Sequence, residues 1–279
     1  MSHSTWQAGD VVANGIRLHY TRTGGAKPAL VLAHGVTDSG LCWSPVAEKL
    51  AADYDVVMVD ARGHGQSDAP ESGYDPATQA ADLAGLIAAL GLHRPALMGH
   101  SMGAVTVLAL AGLYPDIPAA VVLEDPPAFW LPPAQPAAAG ENRATAMRTW
   151  MESLRSKTRE QLIAEVRVQS PTWPEAELGP WADAKVAFAR NLVRPWTPAA
   201  QQPDWPAIMR RITCPVLAIA ADGAKGAALS EEGIASLQAA VPHVQVVRVA
   251  DAGHNIRREQ PAAFMAAVTG FLKEALARG

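Results

Sequence analysis

A serine stands between two glycines in the stretch GHSMG, residues 99–103, directly after the apolar run PALM at 95–98. On a sharp turn from a strand into a helix, a serine hydroxyl is held clear of the backbone, and nearby glycines let the chain double back. The helix that follows offers an unpaired N–H and a positive dipole end beside the hydroxyl. The pattern predicts that Ser101 is a nucleophile and that the Met102 N–H stabilises the oxyanion formed by its attack.

Attack by a serine hydroxyl requires a general base, which in a parallel sheet is expected at the end of another strand. His254 follows the apolar run at 244–249 and precedes the last helix-like stretch, a position that none of the other histidines has. An imidazole takes up and returns a proton near neutral pH. We therefore predict that His254 is the base.

A tetrahedral intermediate usually receives a second backbone donor from a different loop. The apolar run at 30–33 leads into His34-Gly35-Val36, where a tight turn can aim the Val36 N–H towards Ser101. We predict Val36 as this second donor. The His34 imidazole is expected to brace the turn and not to act as the base.

The elements that position these residues are predicted by the apolar pattern. Continuous apolar runs of strand length lie at 29–33, 56–59, 96–98, 119–123, 216–220 and 244–249. Such runs are typical of parallel strands that are covered on both faces. Helix-like stretches lie at 44–52, 76–90, 102–113, 231–240 and 260–277. Asn14-Gly15, within 11–22, predicts a β-hairpin. The predicted fold class is α/β, a mostly parallel, doubly wound sheet opened by an antiparallel hairpin.

The alternation of strands and helices stops in the segment 128–207. Prolines cluster at its start, and it is rich in tryptophan. Helix-like stretches inside it lie at 143–157 and 159–170. We predict that 128–207 is a helical lid that divides the core into 1–127 and 208–279. Tryptophans of such a lid either pack its own small core or line a pocket, and Trp130 is predicted to bind substrate.

Composition limits the other classes of function. The chain has 279 residues, of which 49% are hydrophobic and 18% charged, and a net charge of -4, which argues against a nucleic-acid-binding or disordered protein. Its two cysteines, Cys42 and Cys214, have no metal-ligand spacing, so no metal site is predicted. No apolar run is long enough to span a membrane, which predicts a cytoplasmic protein without a membrane partner. A homodimer is the predicted assembly.

Four stretches together resemble the α/β-hydrolase superfamily: HG at 34–35, DARGHGQSDAP at 60–70, GHSMG at 99–103 and DAGH at 251–254. The chain is most similar to the lid-bearing esterases, lactonases and C–C hydrolases, over nearly its whole length apart from the lid. The resemblance implies that Ser101 is the nucleophile and His254 the base. It also implies that Val36 and Met102 are the oxyanion donors.

The acid that orients the imidazole remains open among three carboxylates. Relatives usually carry the acid after the next-to-last core strand, in a frame like PVLLIxGxxD. This chain reads PVLAIAADGA at 215–224. Alanine stands at the position of the aspartate, and Asp222 lies two residues before it. Other members carry the acid one strand earlier, where this chain reads VVLEDPP at 121–127. Glu124 and Asp125 are therefore rivals of Asp222, and the prolines that follow stiffen the turn that presents one of them. Asp125 is the favoured acid.

The predicted reaction is acyl transfer to water without a metal or an organic cofactor. The tryptophan-rich lid favours an apolar or aromatic carboxylic ester or lactone as the small-molecule substrate. The same scaffold also hosts C–C bond hydrolases, amidases and cofactor-free haloperoxidases, among which the sequence does not choose. A non-catalytic small-molecule sensor of the same fold is the alternative from another class of function.

Overall fold

The computed structural model describes residues 6–131, 137–188 and 203–277. Over these residues, eight strands form a sheet in the order β1-β2-β4-β3-β5-β6-β7-β8. The strands are β1 Gln7–Ala13, β2 Ile16–Arg22, β3 Ala29–Ala33, β4 Asp55–Val59, β5 Ala96–His100, β6 Ala120–Glu124, β7 Val216–Ala220 and β8 Val244–Arg248. β1 and β2 form an antiparallel hairpin, β2 pairs antiparallel with β4, and the remaining neighbours are parallel. The predicted fold class is confirmed.

Helices cover both faces of this sheet. In the described ranges they are α1 Ser44–Leu50, α2 Pro76–Ala89, α3 Met102–Leu113, α4 Ala137–Arg155, α5 Arg159–Gln169, α6 Glu175–Ala187, α7 Trp205–Met209, α8 Glu231–Ala240, α9 Ile256–Glu259 and α10 Pro261–Leu276. Apolar side chains of α2, α3, α7 and α8 pack on one face, and those of α1 and α10 pack on the other. Along β3, Val31 and Ala33 face the first layer while Leu30 and Leu32 face the second. Because helices cover both faces of the sheet, the strands appear in the sequence as continuous apolar runs.

Two strands extend at their carboxyl ends beyond the predicted apolar runs, and both extensions lead into the candidate site. β5 continues past Met98 through Gly99 to His100, and β6 continues to Glu124. His100 and Glu124 are partners in the parallel ladder, so backbone pairing continues where the apolar side chains stop. The carboxyl ends of β5 and β6 therefore bring the serine turn and the two adjacent carboxylates side by side.

Helices α4, α5 and α6 lie between β6 and β7, where the sequence predicts a helical insertion. The apolar pattern does not predict α6, because Gly179 and Pro180 interrupt it. This segment has a small apolar cluster of its own, made of Met151, Leu154, Leu162, Ala182 and Phe188. Trp130 and Trp205 pack in the main core instead, and Trp196 lies outside the described residues. The division into a lid at 128–207 and two core parts stays a prediction.

None of the helices in the described ranges has the length and apolar character that a membrane span requires. Cys42 and Cys214 are free and buried. Burial raises the pKa of each thiol to about 11, so both stay protonated at neutral pH. A cytoplasmic location and a homodimer stay predictions.

Candidate active site

Ser101 lies on the turn between β5 and α3, at the carboxyl end of the parallel strands. Its backbone angles, φ 52° and ψ -115°, fall in a region that residues other than glycine rarely adopt. The turn is held because the Ser101 N–H donates to the Glu124 carbonyl at 3.0 Å and the Ser101 carbonyl accepts the Val105 N–H at 3.1 Å. The side chain is partly exposed. The residue thus has the strained, outward-facing position that the GHSMG pattern predicts.

Gly99 and Gly103 make the close approach at this turn possible. A Cβ at Gly99 would lie 2.3 Å from the carbonyl carbon of Gly103, and a Cβ at Gly103 would lie 2.2 Å from the carbonyl oxygen of Ala33. No side chain fits at either distance. Because the start of α3 can therefore lie against the end of β3, the Ser101 turn is next to the loop that follows β3.

His254 and Asp125 form a hydrogen-bonded pair. His254 Nδ1 lies 2.7 Å from Asp125 Oδ2, and Asp125 is fully buried whereas 34% of the His254 side chain is exposed. The carboxylate also accepts the N–H groups of Ala228 at 2.8 Å and of Leu229 at 3.1 Å, which fix its orientation. Because Nδ1 faces Asp125, Nε2 lies on the other side of the ring. An imidazole held in this way has the tautomer that a general base needs.

His100 connects the Ser101 turn to the His254 loop. His100 Nε2 lies 3.0 Å from the His254 carbonyl oxygen, and the two ring centres are 4.7 Å apart. Gly35 lies against the same ring, since a Cβ there would be 2.8 Å from His100 Nδ1 and 3.6 Å from Ser101 Cβ. Burial and the nearby Arg257 lower the pKa of His100 well below its usual value. A neutral ring donates from Nε2, and the three loops converge around it.

The two rival carboxylates have other partners. Asp222 caps the short turn that follows it, accepting a backbone N–H at 2.9 Å. Glu124 is buried and accepts the backbone N–H of Arg257 at 2.8 Å and its guanidinium at 2.9 Å. Burial raises the pKa of Glu124, and Arg257 opposes that shift. Of the three candidate acids, Asp125 is the one that is bonded to the His254 ring.

The two predicted oxyanion donors are free to bind a substrate oxygen. Among the hydrogen bonds of the described residues, neither the Val36 N–H nor the Met102 N–H serves as a donor. The direction of the Val36 N–H is set by its peptide group, because a planar trans peptide places that N–H opposite the Gly35 carbonyl. The Gly35 carbonyl accepts a hydrogen bond from His34 Nδ1 at 2.8 Å and from the Asp38 N–H at 3.0 Å. These two bonds fix where the Val36 N–H points.

Four of the predicted site residues reach the surface of an otherwise buried region. These residues, each partly exposed, are Val36, Ser101, Met102 and His254. Each of the four is therefore accessible from solvent. Over the described part of the chain, no three or more His, Cys, Asp or Glu side chains are grouped so that they could hold a metal ion.

His34 braces the loop that carries the Val36 donor, as the sequence predicts. Its Nδ1 donates to the Gly35 carbonyl, and its Nε2 accepts the Ala61 N–H at 3.0 Å. Burial, together with the neighbouring His64, lowers the pKa of His34 to about 3. The neutral tautomer with its proton on Nδ1 satisfies both contacts.

His34 is expected to make the acid unfolding of the protein steeper. The unfolded chain protonates this imidazole below its usual pKa of 6.5, whereas in the folded protein the pKa is about 3. The stability that depends on neutral His34 is therefore present above pH 6.5 and is lost as the pH falls towards 3. Near about pH 5, the free energy of unfolding of the wild type should change by about 1.4 kcal/mol per pH unit more than that of His34→Asn.

Urea unfolding at a series of acidic pH values measures these two slopes. Asparagine keeps a donor near the Nδ1 position, so the variant loses the titrating ring with the least change to the loop. His93, which is exposed, supplies the control, and His93→Asn is expected to leave the slope unchanged. Equal slopes in the wild type and in His34→Asn would show that the fold does not hold this ring neutral.

Trp130 packs into the main core. It is buried, and its Nε1 donates to the Gly233 carbonyl at 3.2 Å. Its ring lies edge-to-face with Trp205, with ring centres 6.4 Å apart. These contacts account for a packing role, and the substrate-binding role of Trp130 stays a prediction that they do not support.

Sequence patterns do not reveal a group of buried charges beside the site, which we call the buried charge cluster. Three carboxylates and three cations, each with a side chain at most 4% exposed, form it: Asp38, Glu124, Glu177, Lys185, Arg257 and Arg258. The one signal in the sequence is the pair Arg257-Arg258 soon after His254. Charged side chains rarely become buried without partners. Those partners lie far away along the chain, so no local pattern identifies them.

Comparison with known proteins gives relatives that cover nearly the whole chain. A family model described as alpha/beta hydrolase fold matches residues 28–257. N-formylmaleamate deformylase from Pseudomonas putida is 31% identical over 277 residues, which cover 98% of this chain and 99% of the relative. 2-(Acetamidomethylene)succinate hydrolase from Mesorhizobium japonicum is 30% identical over 265 residues, 90% of each chain. The crystal structure of the enol-lactonase from Burkholderia xenovorans LB400 matches with a TM-score of 0.74 and 26% identity, over 95% of this chain and 100% of that one.

Proposed function

We propose, from the premise that the chain belongs to the α/β-hydrolase fold family, that it is a serine hydrolase with Ser101 as nucleophile, His254 as base and Asp125 as acid. One observation carries this proposal: His254 is hydrogen-bonded to Asp125 at 2.7 Å, and the His254 carbonyl is bonded to His100, the residue before a partly exposed serine on a strained turn. Family membership supports hydrolase chemistry in general. The contacts of the site support these three residues in particular.

The first half of the proposed reaction forms an acyl-enzyme. Ser101 Oγ attacks the carbonyl carbon of the substrate while its proton passes to His254 Nε2, and the ionised Asp125 stabilises the resulting imidazolium. Negative charge develops on the carbonyl oxygen, where the N–H groups of Val36 and Met102 and the amino end of α3 stabilise it. The tetrahedral intermediate then expels the leaving group, which takes the proton from His254 and leaves an ester on Ser101.

The second half returns the enzyme to its starting state. A water molecule gives a proton to His254 while its oxygen attacks the acyl carbon. The same two backbone donors stabilise the second oxyanion. Collapse of this intermediate releases the carboxylic acid and returns the proton from His254 to Ser101 Oγ. The scheme uses the chain's own residues and water, so the proposal requires no cofactor.

Within this chemistry we assign the chain to carboxylic esters or lactones. An alkoxide or enolate leaves more readily than an amide nitrogen, so two backbone donors and one imidazole are sufficient for these bonds. The similarity to an enol-lactonase over 95% of the chain supports the assignment. The apolar or aromatic character of the substrate rests on the tryptophans of the segment 128–207 other than Trp130 and Trp205, and we propose that this segment acts as a lid over the site.

Cleavage of an acyl amide is the second candidate function. Two relatives that match 90% or more of the chain are named for compounds with a formyl or an acetyl group on nitrogen. A leaving nitrogen must be protonated as it departs, and the His254 imidazolium supplies a proton from the same position. The same residues can therefore also serve a nitrogen leaving group.

A matched set of substrates tests the bond type. p-Nitrophenyl acetate and p-nitroacetanilide share their acyl group and their ring and differ in the leaving atom, and dihydrocoumarin adds an aromatic lactone. Each kcat/KM is divided by the uncatalysed hydrolysis rate of the same compound, because the three differ in intrinsic reactivity. We expect the ester and the lactone to give the higher ratios. A higher ratio for the anilide would establish the second candidate instead.

Ser101→Ala is the control for all of these substrates. A fluorophosphonate probe should add its mass to the wild type and not to Ser101→Ala, because the probe captures an activated serine. Turnover that persists in Ser101→Ala would refute the assigned nucleophile. A folded wild type with no Ser101-dependent turnover of esters, lactones or amides would favour the non-catalytic sensor of the same fold.

A further inference from the structure

A lysine of the inserted segment is buried against the oxyanion loop, by which we mean residues 34–38. Lys185 lies on α6, and its side chain is 2% exposed. Its Nζ donates to the Thr37 carbonyl at 2.9 Å and to Asp38 Oδ1 at 2.6 Å, and lies 4.9 Å from the centre of the Trp181 ring. A buried ammonium is costly unless it is paired. These loop atoms are the partners that offset the cost.

Asp38 is shared by all three cations of the buried charge cluster. Its Oδ1 binds Lys185, and its Oδ2 accepts one hydrogen bond from Arg257 and one from Arg258, each at 3.0 Å. Burial alone would raise the pKa of Asp38, but the three cations hold it well below its usual value. The carboxylate therefore stays charged. Because both arginines follow His254 closely in the chain, Asp38 joins α6, the oxyanion loop and the loop of the candidate base.

The backbone of Asp38 acts directly on the Val36 donor. The Asp38 N–H donates to the Gly35 carbonyl at 3.0 Å, and the planar peptide between Gly35 and Val36 turns as a unit. A displacement of Asp38 therefore reorients the Val36 N–H. Lys185 opposes such a displacement, because one ammonium binds both the Thr37 carbonyl and the Asp38 carboxylate.

We propose that Lys185 is a positioning residue, which holds the oxyanion loop so that the Val36 N–H faces the reacting carbonyl oxygen. The proposal rests on the serine-hydrolase function proposed above and goes beyond it. It makes the inserted segment part of the machinery that stabilises the transition state, in addition to any role as a lid. It also requires α6 to stay docked on the core during turnover, because a swing of α6 would withdraw the lysine.

Lys185→Met tests the proposal, because methionine keeps most of the side-chain length and removes the ammonium. We expect kcat to fall about 10–100-fold while KM changes by less than about threefold, since the oxyanion is formed in the transition state and not in the bound substrate. A trifluoromethyl ketone forms an oxyanion with the serine, so its inhibition constant should rise by the factor by which kcat/KM falls. Lys185→Arg keeps a cation and should recover most of the lost kcat.

Asp55→Asn is the matched control. Asp55 is a buried carboxylate paired with Arg22. It lies at the amino end of β4, whereas Ser101 lies at the carboxyl ends of the parallel strands. The Asp55→Asn substitution should lower Tm and leave kcat and the inhibition constant of the ketone unchanged. An unchanged kcat in Lys185→Met, or an equal loss in Asp55→Asn, would overturn the proposal.

The same measurements distinguish failure of the positioning role of Lys185 from failure of the proposed serine-hydrolase function. A Lys185→Arg variant as stable as the wild type but as slow as Lys185→Met would also overturn the positioning role. Absence of Ser101-dependent turnover in the wild type would refute the proposed function itself. That failure is seen without any change at Lys185, so it is distinguishable from failure of the inference.

Discussion

Replacing Asp125 with asparagine is expected to lower kcat by about 10⁴-fold while the fold is retained. The two side chains have the same shape, and the asparagine oxygen at the Oδ1 position can still accept the Leu229 N–H, whereas the bond from the Ala228 N–H to Oδ2 is lost. The amide, however, donates a proton to His254 Nδ1 where the carboxylate accepts one. The ring then carries its proton on Nε2 and cannot take the proton of Ser101. Steady-state kinetics on the best substrate measures the loss, and circular dichroism reports the fold.

Asp222→Asn is the matched control for this substitution. It makes the same chemical change in a carboxylate whose described bonds are to backbone N–H groups of nearby loops. We expect Asp222→Asn to keep a kcat near that of the wild type. The reverse pattern, with activity lost in Asp222→Asn and kept in Asp125→Asn, would assign the acid to Asp222.

The sheet could be predicted because both of its faces are covered by helices. β3 and β7 are observed at Ala29–Ala33 and Val216–Ala220, the bounds of the predicted apolar runs. The pattern ends too early at β5, because Gly99 and His100 have no aliphatic side chain although their backbone remains in the ladder. Apolar periodicity reports the burial of side chains, and it carries no information about main-chain pairing.

The sequence limits the acid to three carboxylates and favours Asp125, but it does not establish which of them pairs with His254. Glu124 ends β6, and Asp125 follows it with a positive φ of 43°, so the two side chains face different surroundings. In the structure, Glu124 meets Arg257 and Asp125 meets His254, across separations of 133 and 129 residues. The motifs around the serine and the base are contiguous in the chain and could be recognised. The contacts that distinguish two adjacent carboxylates depend on how distant loops pack.

Replacing Arg257 with methionine is expected to lower the free energy of unfolding by about 3–5 kcal/mol. The Arg257 and Glu124 side chains are fully buried, and the guanidinium lies 2.9 Å from the carboxylate. The guanidinium also binds Asp38 at 3.0 Å and lies 4.3 Å from the centre of the Trp43 ring. Methionine fills much of the volume but leaves the Glu124 carboxylate buried without the cation that is hydrogen-bonded to it. An uncompensated buried charge costs far more than a lost surface contact.

Arg248→Met is the control for burial, because Arg248 and Glu231 form the same kind of pair at the surface. Their contacts are 2.6 Å and 2.9 Å long, but the two side chains are 54% and 75% exposed. We expect a loss of less than about 1 kcal/mol, since exposed ion pairs are screened by water and salt. Urea unfolding measures both variants. Equal losses would show that burial does not set the cost of breaking the Arg257 pair.

The loss in Arg257→Met is expected to be larger at about pH 8 than at about pH 5. Burial raises the pKa of Glu124 and Arg257 opposes that shift, so the pKa rises further when Arg257 is removed. The folded variant then holds a proton that the unfolded chain releases, and stability falls as the pH rises above the unfolded pKa of Glu124. Adding Glu124→Gln to Arg257→Met removes the charge and should recover stability mainly at the higher pH. A loss independent of pH would place the cost in packing around the methionine and not in the unpaired Glu124 carboxylate.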